Sequence, residues 1–196
     1  MTLTDDELRT ETFAERRRLA DLLGGLTPEQ WAHPSLCEGW RVREVVAHIT
    51  LAYRHSGLRV VAGILASGGN FNRYADKIAR KDTATTSDAE LLKSLRDNAE
   101  HPWTPPRGGQ AGALAHDVLH GLDITEPLGL QPAPPARIAA ATLSPAAAWM
   151  SLTTTRAPSC ARRSASILPS RSAIDCSNSR KVVFITPWPV EKRPSF

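Results

Sequence analysis

The chain has 196 residues, 41% of them hydrophobic and 22% charged, the composition of an ordinary globular protein long enough to bury one core. No apolar run approaches the roughly 18 residues that cross a bilayer. The acidic, polar opening "MTLTDDELRTE" is not a secretory signal, so a cytoplasmic location is the expectation. The net charge of +4 is unevenly spread: residues 1–143 carry 16 basic and 18 acidic side chains, residues 144–196 carry 8 and 2. Basicity therefore belongs to the tail and is a poor argument for a nucleic-acid-binding main domain.

In chain order, residues 4–23 read as a helix. Thr4 and Glu7 form a capping box, acids fill the first turn, and Gly24 and Gly25 end it. Leu8, Phe13, Leu19, Leu22 and Leu23 supply its apolar stripe, and Arg16, Arg17 and Arg18 read as a solvated face. Thr27, Pro28 and Gln30 open a second, short helix. "HPSLCEGW" is a loop bracketed by Trp31 and Trp40, both expected to pack it against the body of the protein. Residues 42–66 read as one long helix with apolar positions from Val42 to Leu65, stopped by Gly68 and Gly69. Residues 70–86 read as helix end, turn and polar connector. Ser87 and Glu90 cap a further helix. "HPWTPPRGGQ" breaks the chain, a helix spans about 111–122, and an Ala-rich helix about 135–150. Four substantial helices with no convincing strand pair predict an all-α fold, a four-helix bundle over residues 1–150.

His116 and His120 are four residues apart, so they share one helical face and can chelate one ion. The general-base Glu of H-E-x-x-H is absent, which argues against a metalloprotease. His48 borders the apolar stripe of the long helix, and facing helices lie about 8–10 Å apart. Three imidazoles from two helices can therefore meet at one metal and leave a position open for water or a thiol. Asp123 lies three residues beyond His120, where it either holds that ring's other N–H or is a solvated acid near the helix end. His33, His55 and His101 read as bystanders. Cys37, Cys160 and Cys176 make neither a disulfide framework nor a paired zinc motif. Cys37 reads as an unbridged thiol, and as a small buried loop residue.

"LTPEQWAHPSLCEGWRVREVVAHIT" resembles the opening signature of the mycothiol-dependent maleylpyruvate isomerase family, within the DinB-like metal-binding superfamily. Leu26, Thr27, Pro28, Trp31, Cys37, Gly39, Trp40, Val42, Ala47 and His48 carry the likeness. "HDVLHGLDITEPLGL" resembles a second signature through His120, Gly121, Asp123, Pro127, Leu128 and Gly129. The resemblance covers roughly residues 5–143. It implies a DinB-like four-helix bundle with one divalent metal, zinc by preference, held by His48, His116 and His120. It also implies a mycothiol-like low-molecular-weight thiol and a small electrophilic substrate as partners. Members often carry Glu where His116 stands. An all-imidazole set brings no ligand charge, so a bound water or thiol is acidified more strongly.

Residues 151–196 have no helical or strand period and are rich in Ser, Arg and Pro. They are expected to lack a packed fold. A frame-shifted stretch and a genuine basic arm both account for that composition. The reading that follows is a metal- and thiol-cofactor-dependent isomerase or transferase. A non-catalytic or truncated metal-binding bundle and a basic-tail nucleic-acid binder are the alternatives.

Overall fold

A computed structural model describes residues 3–143. The expected tail at 151–196, and the last part of the helix expected at 135–150, lie outside the described residues. Among the described residues there are nine helices and no strand: α1 (Asp5–Gly24), α2 (Pro28–Trp31), α3 (Val42–Ile49), α4 (Leu51–Arg54), α5 (Gly57–Ala66), α6 (Phe71–Thr85), α7 (Asp88–Asp97), α8 (Gly109–Leu128) and α9 (Pro135–Thr142). The three expected capping boxes form, Thr4 with Glu7, Thr27 with Gln30 and Ser87 with Glu90.

Helix α1 packs on α8, α8 on α3, α3 on α7 and α7 on α1, which closes a ring of four. Its core joins Leu19 and Leu23 of α1, Val42, Val45, Val46 and Ile49 of α3, Leu91 and Leu95 of α7 and Ile124 of α8, with Trp31, Cys37 and Trp40 from the short helix and loop. A second cluster joins Leu8, Leu114, Val118, Leu122 and Ile138 where α9 lies against α8. The all-α class and the burial of both tryptophans are as the sequence predicts.

Five expectations change. The long helix of 42–66 is broken into α3, α4 and α5. At the first break, Thr50 turns its hydroxyl back onto Val46 O at 2.8 Å, and Arg54 Nη2 reaches Ala47 O at 2.8 Å. Val46 O also takes its ordinary helical amide from Thr50 N at 3.0 Å, and the Arg54 side chain supplies the donor at Ala47 O. The apolar face expected on 58–65 is not core: no residue of α5 is buried, and Leu58 is 87% exposed. Residues 70–86 are not a connector but the ordered helix α6, started by Asn70 Oδ1, which accepts from Arg73 N. Its buried face joins Tyr74 to small and polar residues, Ala75, Ala79, Asp82 and Thr83, which a count of large aliphatic side chains overlooks.

The fourth change concerns Arg16, which is not on a solvated face but fully buried. The residues α1 buries are Leu8, Thr12, Glu15, Arg16, Leu19, Ala20 and Leu23. Two charged side chains therefore sit on the core-facing stripe, and both are paired there. Glu15 meets Arg18 at 2.7 Å and Arg137 of α9 at 3.0 Å, and Arg16 meets Asp117 of α8. Burying a charge is tolerable only with such partners.

Helix α8 is longer than expected. It starts at Gly109 and runs through Pro127 to Gly129, whose φ of 63° needs a residue without Cβ strain. Pro127 has no N–H for the carbonyl four residues earlier, that of Asp123. Leu36 N of the 33–41 loop fills the gap at 3.0 Å. A defect in one helix thereby anchors the loop.

Candidate metal centre

His48 comes from the last turn of α3, and His116 and His120 from the middle of α8, all three buried. The ring centroid of His48 is 5.3 Å from that of His116 and 4.8 Å from that of His120. The His116 and His120 rings are 4.8 Å apart. One ligand-capable nitrogen from each lies within 4.8 Å of the others. The three residues singled out from the sequence thus converge. Trp40 lies 5.4 Å from the His48 ring and Trp103 lies 5.5 Å from the His116 ring.

Each α8 histidine is held from behind by a carboxylate. His120 Nδ1 meets Asp123 Oδ2 at 3.0 Å, the contact expected of Asp123. His116 Nδ1 meets Asp117 Oδ1 at 2.8 Å. A carboxylate accepts, so Nδ1 carries the proton and the Nε2 lone pair of each ring is left for the cluster. Among the described residues, His120 Nε2 is buried with no hydrogen-bond partner, and so is His48 Nδ1.

Asp117 is the functional residue that sequence reasoning missed. It follows His116 directly in the chain. Its other oxygen receives Arg16 Nε at 2.6 Å. Arg16 Nη1 donates to His101 O at 2.6 Å, and the Arg16 guanidinium carbon lies 5.4 Å from the centre of the Tyr53 ring. No sequence signal pairs residues 16 and 117, because only the α1–α8 crossing brings them together.

The electrostatics favour neutral rings at His48 and His116. Burial holds the His48 imidazole well below its ordinary value, and the neighbouring His120 and His116 push it the same way. Burial also lowers His116; its bond to Asp117 opposes this and His120 adds to it. For Asp117 burial acts upward, but the Arg16 charge and the His116 bond outweigh it and hold the carboxyl below the usual range. Burial raises the Tyr53 phenol strongly, with Asp117 adding to the effect.

The remaining histidines stay away from the cluster. His33 is exposed and bonds Pro34 O, while His55 Nε2 meets Asp82 at 2.9 Å and His101 packs on Tyr53. Cys37 is the buried loop residue expected, and its Sγ is 3.2 Å from Asp123 Oδ2. Cys37, His120 and Asp123 form a second group of ligand-capable atoms within 4.8 Å of one another. No helix is long and apolar enough to cross a membrane among the described residues.

No curated protein and no solved structure matches the chain. The family model described as mycothiol maleylpyruvate isomerase N-terminal domain matches residues 12–165. That span takes in both signatures, the bundle from the middle of α1 onward and every residue of the histidine cluster, and the chain belongs to this family.

Proposed function

We propose that His48, His116 and His120 hold one divalent ion, zinc by preference, and that the domain serves a mycothiol-like thiol in isomerase or transferase chemistry. The observation that carries the reading is the orphaned, buried Nε2 of His120, beside two further imidazoles, in a ring whose other nitrogen is already satisfied. A buried ring nitrogen with no partner is costly unless something accepts its lone pair. Three neutral imidazoles suit zinc and its neighbours in the first transition row.

When bound, such an ion supplies Lewis acidity that favours a thiolate over a thiol. The chain's own residues prepare for this. Asp117 and Asp123 keep the protons of His116 and His120 on Nδ1, and Arg16 holds Asp117 ionised. Burial keeps His48 neutral. Trp40 and Trp103 give the rings apolar neighbours. A thiolate sulfur that adds to an electrophilic C=C carbon, allows rotation and leaves again isomerises the substrate. Retention of the new C–S bond, with protonation of the adjacent carbon, is thiol transfer.

The test is metal content of the purified chain beside His48→Ala, His116→Ala and His120→Ala. Close to one zinc per chain, lost in each variant, supports the reading, and thiol addition to maleyl-type substrates is then assayed. No metal in the unaltered chain, even after incubation with zinc, overturns it. Stoichiometric metal without thiol chemistry leaves a metal-binding bundle that is not an enzyme.

A further inference from the structure

The loop between α2 and α3 touches α8 twice at one residue. Leu36 N donates to Asp123 O at 3.0 Å, where Pro127 leaves that carbonyl without its helical donor. One position on, Cys37 Sγ lies 3.2 Å from Asp123 Oδ2, the same oxygen that receives His120 Nδ1. The thiol has little freedom to leave. Cys37 is 1% exposed, its N–H donates to Ser35 Oγ at 3.1 Å, and its carbonyl accepts Trp40 N at 3.0 Å. Ser35 Oγ in turn donates to Trp40 O at 2.9 Å, and Trp40 Nε1 is tied to Asp76 at 2.8 Å. The loop is a braced frame that presents one S–H to one carboxylate oxygen.

Resting on the metal reading above, we propose that Cys37 is a positioning residue for His120. Its S–H donates to Asp123 Oδ2 and holds that carboxylate against the ring, so that Nδ1 keeps the proton and Nε2 stays free for the cluster. A thiol is a weak donor, but in a buried site even a weak directional bond helps to hold a carboxylate in one orientation. Groups that orient a metal-binding imidazole typically change affinity by about 10–100-fold when removed. Cys37 acts one bond further out, so the lower end of that range applies.

The experiment compares the full chain with Cys37→Ser, which keeps a donor, and Cys37→Val, which fills the space without one. Zinc affinity is measured by chelator competition, stability by urea, and the His120 tautomer in metal-free protein by long-range 15N–1H correlation. The expected result is a loss of about tenfold in affinity for Cys37→Val and a loss within about threefold for Cys37→Ser. Stability is read separately, so that a loss from repacking the buried site is told apart from loss of the donor. In the metal-free protein, His120 should carry its proton on Nδ1 in the unaltered chain and in Cys37→Ser, and should be a mixture in Cys37→Val.

Affinity that follows stability, with Val like the unaltered chain and Ser impaired, would show packing alone and overturn the proposal. A thiolate-to-cobalt charge-transfer band in the cobalt-loaded chain, lost in Cys37→Ser, would make Cys37 a ligand and overturn it too. If the unaltered chain takes no zinc, the metal reading fails separately. The metal-free tautomer then decides on Cys37: unchanged in Cys37→Val, the proposal falls; shifted, it stands.

Discussion

Arg16 and Asp117 are 101 residues apart in the chain, yet their side chains meet at 2.6 Å with at most 1% of either exposed. The pair links α1 to the face of α8 that carries His116, whose ring bonds the other oxygen of the same carboxylate. Replacing one member leaves the other charged and buried, which costs about 3–5 kcal/mol. Arg16→Met should lower the urea midpoint accordingly. Asp117→Asn should lower zinc affinity about 10–100-fold as well, because its amide offers one acceptor oxygen where Arg16 Nε and His116 Nδ1 each use one. An Arg16→Met protein as stable as the unaltered chain would refute the buried pair.

Acid should weaken the metal-free protein in a definite window. His48 and His116 have folded values below the ordinary 6.5. Above about 6.5 neither the folded nor the unfolded chain protonates them, and the full stability is present. As pH falls below it, the unfolded chain binds protons there and the folded chain does not, so stability is lost until the lowered folded values are reached. Asp117 acts in the same sense further down, because its depressed carboxyl gives stability that is lost as pH falls from the ordinary 3.8 through its folded value. Urea midpoints at about pH 7.5 and about pH 5.5 should differ, and His48→Leu should flatten the slope. Equal midpoints at both pH values would contradict this.

Gly121 stands where α8 crosses α1. A Cβ built there would lie 3.1 Å from Glu15 Oε1 and 3.2 Å from a Leu19 methyl. Ala is about 1 kcal/mol better than Gly within a helix, so the contact decides the sign. Glu15 is pinned by Arg18 and Arg137, and Leu19 is fully buried. Neither can give way cheaply, and overpacking of this kind costs about 1–3 kcal/mol. Gly121→Ala should therefore destabilise. Thermal unfolding checks it, and an increase in Tm would mean that the crossing is looser than described.

The apolar stripe on α5 should be energetically quiet. Leu58 and Leu65 are 87% and 70% exposed, so Leu58→Gln and Leu65→Gln should stay within about 0.5 kcal/mol of the unaltered chain. Leu95→Ala, in the bundle core, should cost about 2–5 kcal/mol. A large loss at Leu58 would show that something covers α5 in solution.

Much of this architecture is local and was therefore readable. Helix starts at Thr4, Thr27 and Ser87 depend on a side chain and a backbone N–H three residues away, and all three form. His116 and His120 share a face because 3.6 residues make a turn, and Asp123 is one turn from His120 for the same reason. The α3 stripe from Val42 to Ile49 is strongly apolar and placed His48 beside the core. What failed was reading polarity as exposure. Arg16, Glu15, Asp82 and Thr83 are polar and buried because each finds a partner elsewhere in the fold, and beside Tyr74 the buried face of α6 is small and polar.

By itself, then, the sequence determined an all-helical chain, the capped helix starts, and three histidines with one supporting carboxylate as the residues to watch. All of these depend on short-range geometry along a helix. Only the tertiary structure decided that Arg16 steadies Asp117, that Asp117 steadies His116, and that Pro127 turns Asp123 into the anchor of the Cys37 loop. Those relations depend on the packing of α1 and of the 33–41 loop against α8. A helical period records which face a residue takes, but not which distant side chain waits on the other side.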